Sequence, residues 1–552
     1  MSNISYRADL LKISEVEREF VNSKTDLAII KKLCGNSPIL LEGSRGTGKT
    51  MLLKKAESLL VSKFKKEKNL PVYISFNKTS LVKRDYFVTW MLSKLIYGIK
   101  ISLKDNLNLF DQKSKDLFDD LFGFSEKTKM SPYMNKIDKY VELLEKTAYD
   151  NDAMTVKEST ELLGLEFDKL SILNHLDVFK EFIRMICSEF GIERIFFFID
   201  EACHNFLLEE QRNFFTLFRD LTCDSIVCNA AVYPGITSYG ESFQLSHDAE
   251  LVQLNRKIND ENYVAFMREM VCKKIGDSEY RKLESQGELF DTLIYAASGN
   301  PRTLLKSLII VTNDFTKKLN KSLLNEFIKD FYLTDIWNEH SDLLDKYVGH
   351  VELINWGRDY IENYVINGIE SRNEGKDTQS IYFAIDRDNS KAVQHAVRIL
   401  EYSGIVTKEK DNLKKQMNGK NRLFIRYQLN LGIIAAKRTA PANECKKIVD
   451  ALSADNCFWQ TSYPELTFDI NEIQASQENE RSYLNHILEQ NVEKLDMSRF
   501  LKDKAIEVGC NTIGDILTNE HSHFKKAYYV GDYRARKIYD EAMSAVLEYI
   551  SG

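Results

Sequence analysis

Proline is scarce in this chain, with seven in 552 residues. So few rigid turns leave room for long helices and exclude a proline-rich linker architecture. No apolar run approaches the roughly 18 residues that a membrane-crossing helix needs, so no membrane span is expected. The opening stretch, Met1 to Asp9, lacks the charged-then-apolar layout of a secretory leader. The nine cysteines include no C-x-x-C pair. This argues against a disulfide framework or zinc site and for reduced thiols in a cytoplasmic protein. A basic excess is missing too. The net charge of −7 excludes a protein that coats nucleic acid uniformly but leaves local patches open. Internal repeats and low-complexity tracts are also absent. What remains, 43% apolar and 28% charged residues, suits globular cores. The length suggests about three or four domains.

One segment carries chemistry on its face. Gly43-Ser44-Arg45-Gly46-Thr47-Gly48-Lys49-Thr50 fits G-x-x-x-x-G-K-[ST] at every fixed position. The apolar stretch Pro38–Leu41 before it reads as a buried strand, and Met51 to Ala56 after it opens a helix. That strand–loop–helix setting is the one a phosphate-binding P-loop requires. Its glycines permit tight turns that aim main-chain N–H groups inward, and the helix adds its positive end. Gly43 to Met51 is therefore the expected cradle for ATP. Lys49 would reach the β- and γ-phosphates, and Thr50 would ligate Mg²⁺.

A second piece lies at Arg194–Glu201. Five consecutive apolar residues suit a central parallel strand covered on both faces, and two carboxylates follow at the end where such sheets place ligands. Asp200 is the expected metal-side acid, and Glu201 the residue that orients and polarises water. Further strands are expected at Leu70–Phe76, Ser225–Tyr233 and Glu250–Leu254. Their alternation with helices predicts an α/β doubly wound parallel sheet. The charged stretch 98–175 reads as a helical insertion, most simply a solvated elaboration. Gly299-Asn300-Pro301 breaks one helix and starts another, which places Arg302 in a first helical turn, within reach of a γ-phosphate.

In this order, the P-loop, the Asp200-Glu201 pair and Gly299–Arg302 resemble AAA+ ATPases of the origin-recognition and replication-initiator clade. They resemble in particular the bacterial relatives of mobile-element or antiphage-defence type, with STAND signalling ATPases as cousins. The resemblance implies ATP hydrolysis, ATP-dependent homo-oligomers, a helical lid whose Arg302 contacts ATP, and an adenine enclosure built from Ile13 to Leu33. The sequence departs from the family at the end of the fourth strand, where a polar residue, often Asn, is usual. Here Tyr233 and Thr237 are the candidates. A trans-acting arginine is not obvious either; Arg212, Arg219 and Arg256 are the candidates, each read first as a surface or ion-pairing residue.

The expected domains are an ATPase core over 1–255, a helical lid over 256–345, a winged helix over 346–440, a connecting segment over 441–497 and a small all-α helix–hairpin–helix domain over 498–552. In the winged helix, Ser390 would cap a recognition helix from Lys391 to Ser403. Asn389, Lys391, Gln394, His395 and Arg398 would be its exposed positions, with wing strands at Ile405–Thr407 and Phe424–Leu429. Residues 376–438 hold 13 Lys/Arg against 6 Asp/Glu. That local surplus on an acidic chain fits phosphate contacts with duplex DNA. The last 55 residues resemble the RNA polymerase α C-terminal domain, with Gly531, Arg534, Arg536 and Lys537 at the expected phosphate grip and Tyr533 in place of a hairpin glycine. Two functions compete: a nucleotide-dependent DNA-binding ATPase, and a STAND-like switch that controls a separate effector protein.

Overall fold

A computed structural model describes residues 8–76, 86–123, 131–146, 164, 170–205, 208–240, 242–347, 350–417, 419–460, 485 and 487–551. Part of the 98–175 insertion and part of the 441–497 connection lie outside the described residues.

Five strands, β1 (Ile39–Glu42), β2 (Asn69–Ser75), β3 (Arg194–Asp200), β4 (Ile226–Val232) and β5 (Glu250–Gln253), form one parallel sheet in the order β2-β3-β4-β1-β5. The doubly wound α/β fold expected from the alternation of strands and helices is therefore present. The apolar runs follow from double coverage: β1 and β4 are buried at every residue, as parallel strands between helical layers must be. Register then decides where chemistry gathers. Glu42 pairs with Val232 and Ser75 with Asp200, so the carboxyl ends of β1 to β4 share one rim.

The helix α1 (Lys49–Glu67) and the amino-terminal helices Ile13–Glu19 and Lys24–Leu33 cover one face, around Ile30, Leu33, Leu53 and Phe198. The other face is covered by helices that include Phe87–Asp105, which runs through residue 98 without a break. The described insertion helices bury Phe118, Leu121, Ile137 and Tyr140 in the same core as the sheet. The expectation of a solvated elaboration is corrected here: charges occupy one face of these helices while the other face extends the core.

The lid includes α2 (Pro301–Thr312) and shares its core with a second sheet. That sheet comprises β6 (Tyr382–Asp386), β7 (Val406–Met417), β8 (Lys420–Leu429) and β9 (Phe458–Gln460), in the order β7-β8-β6-β9. The β7–β8 hairpin is longer than the expected wing, and β9 joins β6 in parallel. Between the two cores lies α3 (Lys391–Tyr402). Its Ala392, Ala396, Ile399 and Tyr402 belong to the ATPase-side core, and its Val397 and Leu400 to the lid-side core. The carboxyl-terminal helix α4 (Asp532–Ser551) packs on α3, where Ser544 Oγ accepts from Ala392 N at 3.2 Å. Among the described residues, no helix is long and apolar enough to cross a membrane.

Candidate nucleotide-binding site

Between β1 and α1 the chain turns through left-handed backbone at Gly46 (φ +89) and Gly48 (φ +102), conformations that strain other residues. Gly46 is constrained twice, because a Cβ there would meet Arg302 Cβ and Asn300 Oδ1, each at 2.7 Å. The lid tip thus sits on the P-loop. Asn300 Nδ2 donates to the Arg45 carbonyl at 2.8 Å, while its Oδ1 caps α2 by accepting from the amides of Arg302 and Thr303. Arg302 lies beside Gly46, with its side chain exposed.

Lys49 is buried. Its Nζ donates to the carbonyls of Gly43 (2.6 Å) and Ser44 (3.1 Å) and lies 3.6 Å from the Tyr233 ring centroid. Burial pushes its pKa down to about 7, against the pull of Asp200 and Glu201. Asp200 is fully buried at the end of β3. Its carboxylate accepts from Tyr73 Oη at 2.9 Å and from the Glu201 amide at 3.0 Å. Glu201 adopts φ +63, a strained backbone for a glutamate. Burial and then Asp200 raise its pKa, opposed by Lys49, Arg302 and Arg45.

Tyr233 Oη donates to Glu201 Oε1 at 3.5 Å. Thr237 instead accepts from the Tyr233 amide at 2.9 Å. Of the two strand-end candidates, Tyr233 reaches the acid and Thr237 props Tyr233.

A cavity of about 130 Å³ lies against this group, lined by Gly46 to Leu52, Glu201, Tyr233 and Arg302, with Phe20, Val21, Met270 and Leu305 on its apolar side. Phe20 and Val21 come from the stretch expected to enclose a base. Ordinary ligand sites occupy about 300–1,000 Å³, more than this cavity alone offers. Arg45, Thr47 and Arg302 also line a larger cavity of about 530 Å³ that opens between lid and α3. The donor set fits a magnesium nucleotide: a left-handed glycine nest, a buried ammonium, the Thr50 hydroxyl and a buried carboxylate.

Arg256 lines the smaller cavity too, but it is half-buried, ion-paired to Asp26 at 3.1 Å and stacked 4.7 Å from the Phe266 ring. That pairing agrees with the reading of Arg256 as an ion-pairing residue. Arg219 pairs with Asp220, and Arg212 packs against Gly240.

The expected recognition helix is corrected as well. Ser390 caps α3 as expected, accepting from Val393 N at 3.3 Å. Of the positions read as exposed, Lys391 is exposed, while Asn389, Gln394, His395 and Arg398 are half-buried. His395 bonds to the Gly235 carbonyl at 2.6 Å, Arg398 pairs with Glu42, Lys391 pairs with Asp496 at 2.9 Å, and Gln394 donates to the carbonyls of Arg387 and Asn389. The Tyr402 carbonyl accepts from the Arg45 amide at 3.2 Å. In the wing, Lys408, Arg422 and Arg426 are ion-paired and Lys415 lies over Trp459. Lys410, Lys414 and Lys420 are exposed.

Sheet order, nest and acid pair together define a P-loop ATPase fold of the AAA+ type. The ORC-CDC6-like family matches residues 4–290, and the chain belongs to that family. Among solved structures, the Walker-type ATPase paby2304 of Pyrococcus abyssi aligns over 80% of this chain and 100% of its own, at 13% identity and a TM-score of 0.38. No curated protein sequence matches.

Proposed function

We propose that this protein binds and hydrolyses ATP and engages duplex DNA in a nucleotide-dependent way. The observation that carries the reading is the buried Lys49 facing Asp200 and Glu201 across the glycine nest, with Arg302 at its edge. Thr50 and Asp200 would hold Mg²⁺, which would neutralise charge on the phosphates. Glu201 would take the proton side of water attack, held by the Tyr233 hydroxyl. Arg302 would follow the phosphates as the lid shifts.

The tie from α3 to the P-loop supports nucleotide dependence, because displacement of Arg45 strains its bond to the Tyr402 carbonyl, while Arg398 fixes α3 to Glu42 at the end of β1. With α3 docked, the DNA contacts fall to Lys410, Lys414 and Lys420 and to the C-terminal unit. The proposed assembly is a homo-oligomer, and the proposed setting is a defence or mobile-element system in the cytoplasm. The test is retention of Mg·ATP together with filter binding of duplex DNA over a salt series. Failure to retain Mg·ATP sinks the whole reading, and salt-insensitive or absent DNA binding sinks its DNA half.

The same docking favours one rival, a STAND-like switch that controls a separate effector protein, with slow hydrolysis and no DNA role. A duplex-DNA effect on oligomer size in ATP separates the two readings.

A further inference from the structure

The tip of the C-terminal unit holds three tyrosine rings in solvent. Phe524, Ala527 and Val530 are buried and pin the chain ahead of α4, while the intervening Tyr528 and Tyr529 are 71% and 69% exposed. Tyr533, in the first turn of α4, is 60% exposed. Tyr529 also takes φ +64, a left-handed backbone that bulky residues rarely adopt. Packing does not compensate for that strain: its ring meets Tyr528, itself exposed, at 4.3 Å between centroids. Glycine would be the more stable residue at this position. Gly531, the expected turn glycine, is not among the residues with positive φ.

Charge narrows the ligand. Residues 525–537 hold five basic side chains, Lys525, Lys526, Arg534, Arg536 and Lys537, against the single acid Asp532. Lys525 pairs with that acid, Arg534 Nη1 donates to the Tyr529 carbonyl at 2.5 Å and Glu507 accepts from the Tyr528 amide at 3.3 Å, so Lys526, Arg536 and Lys537 carry the surplus. Exposed rings alone would suit many partners. Rings interleaved with a cation surplus suit a polyanion that also offers flat apolar faces, which is the chemistry of unpaired nucleic-acid bases. A duplex keeps those faces stacked inside and offers the rings only its backbone.

We propose that this tip stacks unpaired bases, on a single-stranded stretch or at an opened duplex end. The proposal rests on the nucleic-acid reading above and specifies the strand state recognised.

The test uses the full chain and the anisotropy of a labelled oligothymidine of about 20 nucleotides, beside a blunt duplex of equal length. Wild type is expected to bind the oligothymidine. Tyr529→Gly and the pair Tyr528→Ala with Tyr533→Ala should each weaken that binding by about tenfold or more. Duplex binding should fall by much less than oligothymidine binding, and Tyr529→Gly should melt no lower than wild type, which excludes misfolding as the cause.

Absence of oligothymidine binding by wild type overturns the proposal, as does equal loss for single strand and duplex. Polyglutamate binding that falls with these substitutions while oligothymidine binding does not would also overturn it, in favour of an acidic protein partner. Oligothymidine binding through the tyrosines without any duplex binding would remove the duplex reading and leave this one standing.

Discussion

Lys49 is the residue whose environment makes the sharpest predictions. Its ammonium, ordinarily near 10.5, falls to about 7 on burial. Between those values the unfolded chain binds more protons than the folded one. This residue's contribution to stability therefore rises with pH across that window and is least favourable below it. A triphosphate favours the charged form, so binding takes up a proton and ATP affinity should fall as pH rises above about 7. Calorimetry in buffers of different ionisation enthalpy reads that uptake directly, and Lys49→Arg, permanently charged, should flatten the dependence. Lys49→Ala should weaken nucleotide binding itself. Glu201→Gln should cut phosphate release on the order of 10²-fold or more while sparing affinity; unchanged turnover would remove Glu201 from the chemistry. These residues were legible in the sequence because a P-loop is contiguous and its spacing is its function. Tyr233 was only half legible. Its role depends on which strand-end side chain reaches Glu201, and that is set by the β3–β4 register and by Thr237 beneath it.

At the scale of elements, α3 decides most. Its apolar spacing correctly announced a helix, but not that two opposite faces would be covered. Gly235 (φ +74) lets the loop after β4 touch it: a Cβ there would lie 2.4 Å from Ile399 N and 2.5 Å from the Arg398 carbonyl carbon. Gly235→Ala should cost about 1–3 kcal/mol in chemical denaturation, with α3 becoming a new site of limited proteolysis. Glu401 supplies a pH test of the same interface. Burial first, and Glu42 second, raise its pKa to about 7 against the partial relief of Arg398. The folded state then binds more protons between 4.5 and about 7. Glu401's contribution is complete at low pH and is lost as pH rises through that window. Glu401→Gln should therefore match wild type near the lower limit and melt higher above the upper one. Equal melting temperatures at both ends would show that the carboxyl is not strained.

For the molecule as a whole, charge layout sets the DNA prediction. Each phosphate neutralised contributes about −0.9 to the slope of log affinity against log salt. Substituting Lys410, Lys414 and Lys420 together with alanine should make that slope shallower by about 3, without changing ATP binding. An unchanged slope would move the DNA surface off the hairpin. Counting basic residues along 376–438 overstated this surface, since Lys408, Arg422 and Arg426 are spent on Asp411, Asp386 and Glu409.

The sequence by itself determined the parallel α/β core, the phosphate cradle and the acid pair, because each is written in contiguous residues whose backbone freedom and apolar runs act locally. Only the tertiary structure decided that the lid tip rests on Gly46, that Arg256 faces inward to Asp26, and that Arg398 closes on Glu42. Those pairings join residues hundreds of positions apart, and burial, which no local pattern encodes, fixes which charges must meet.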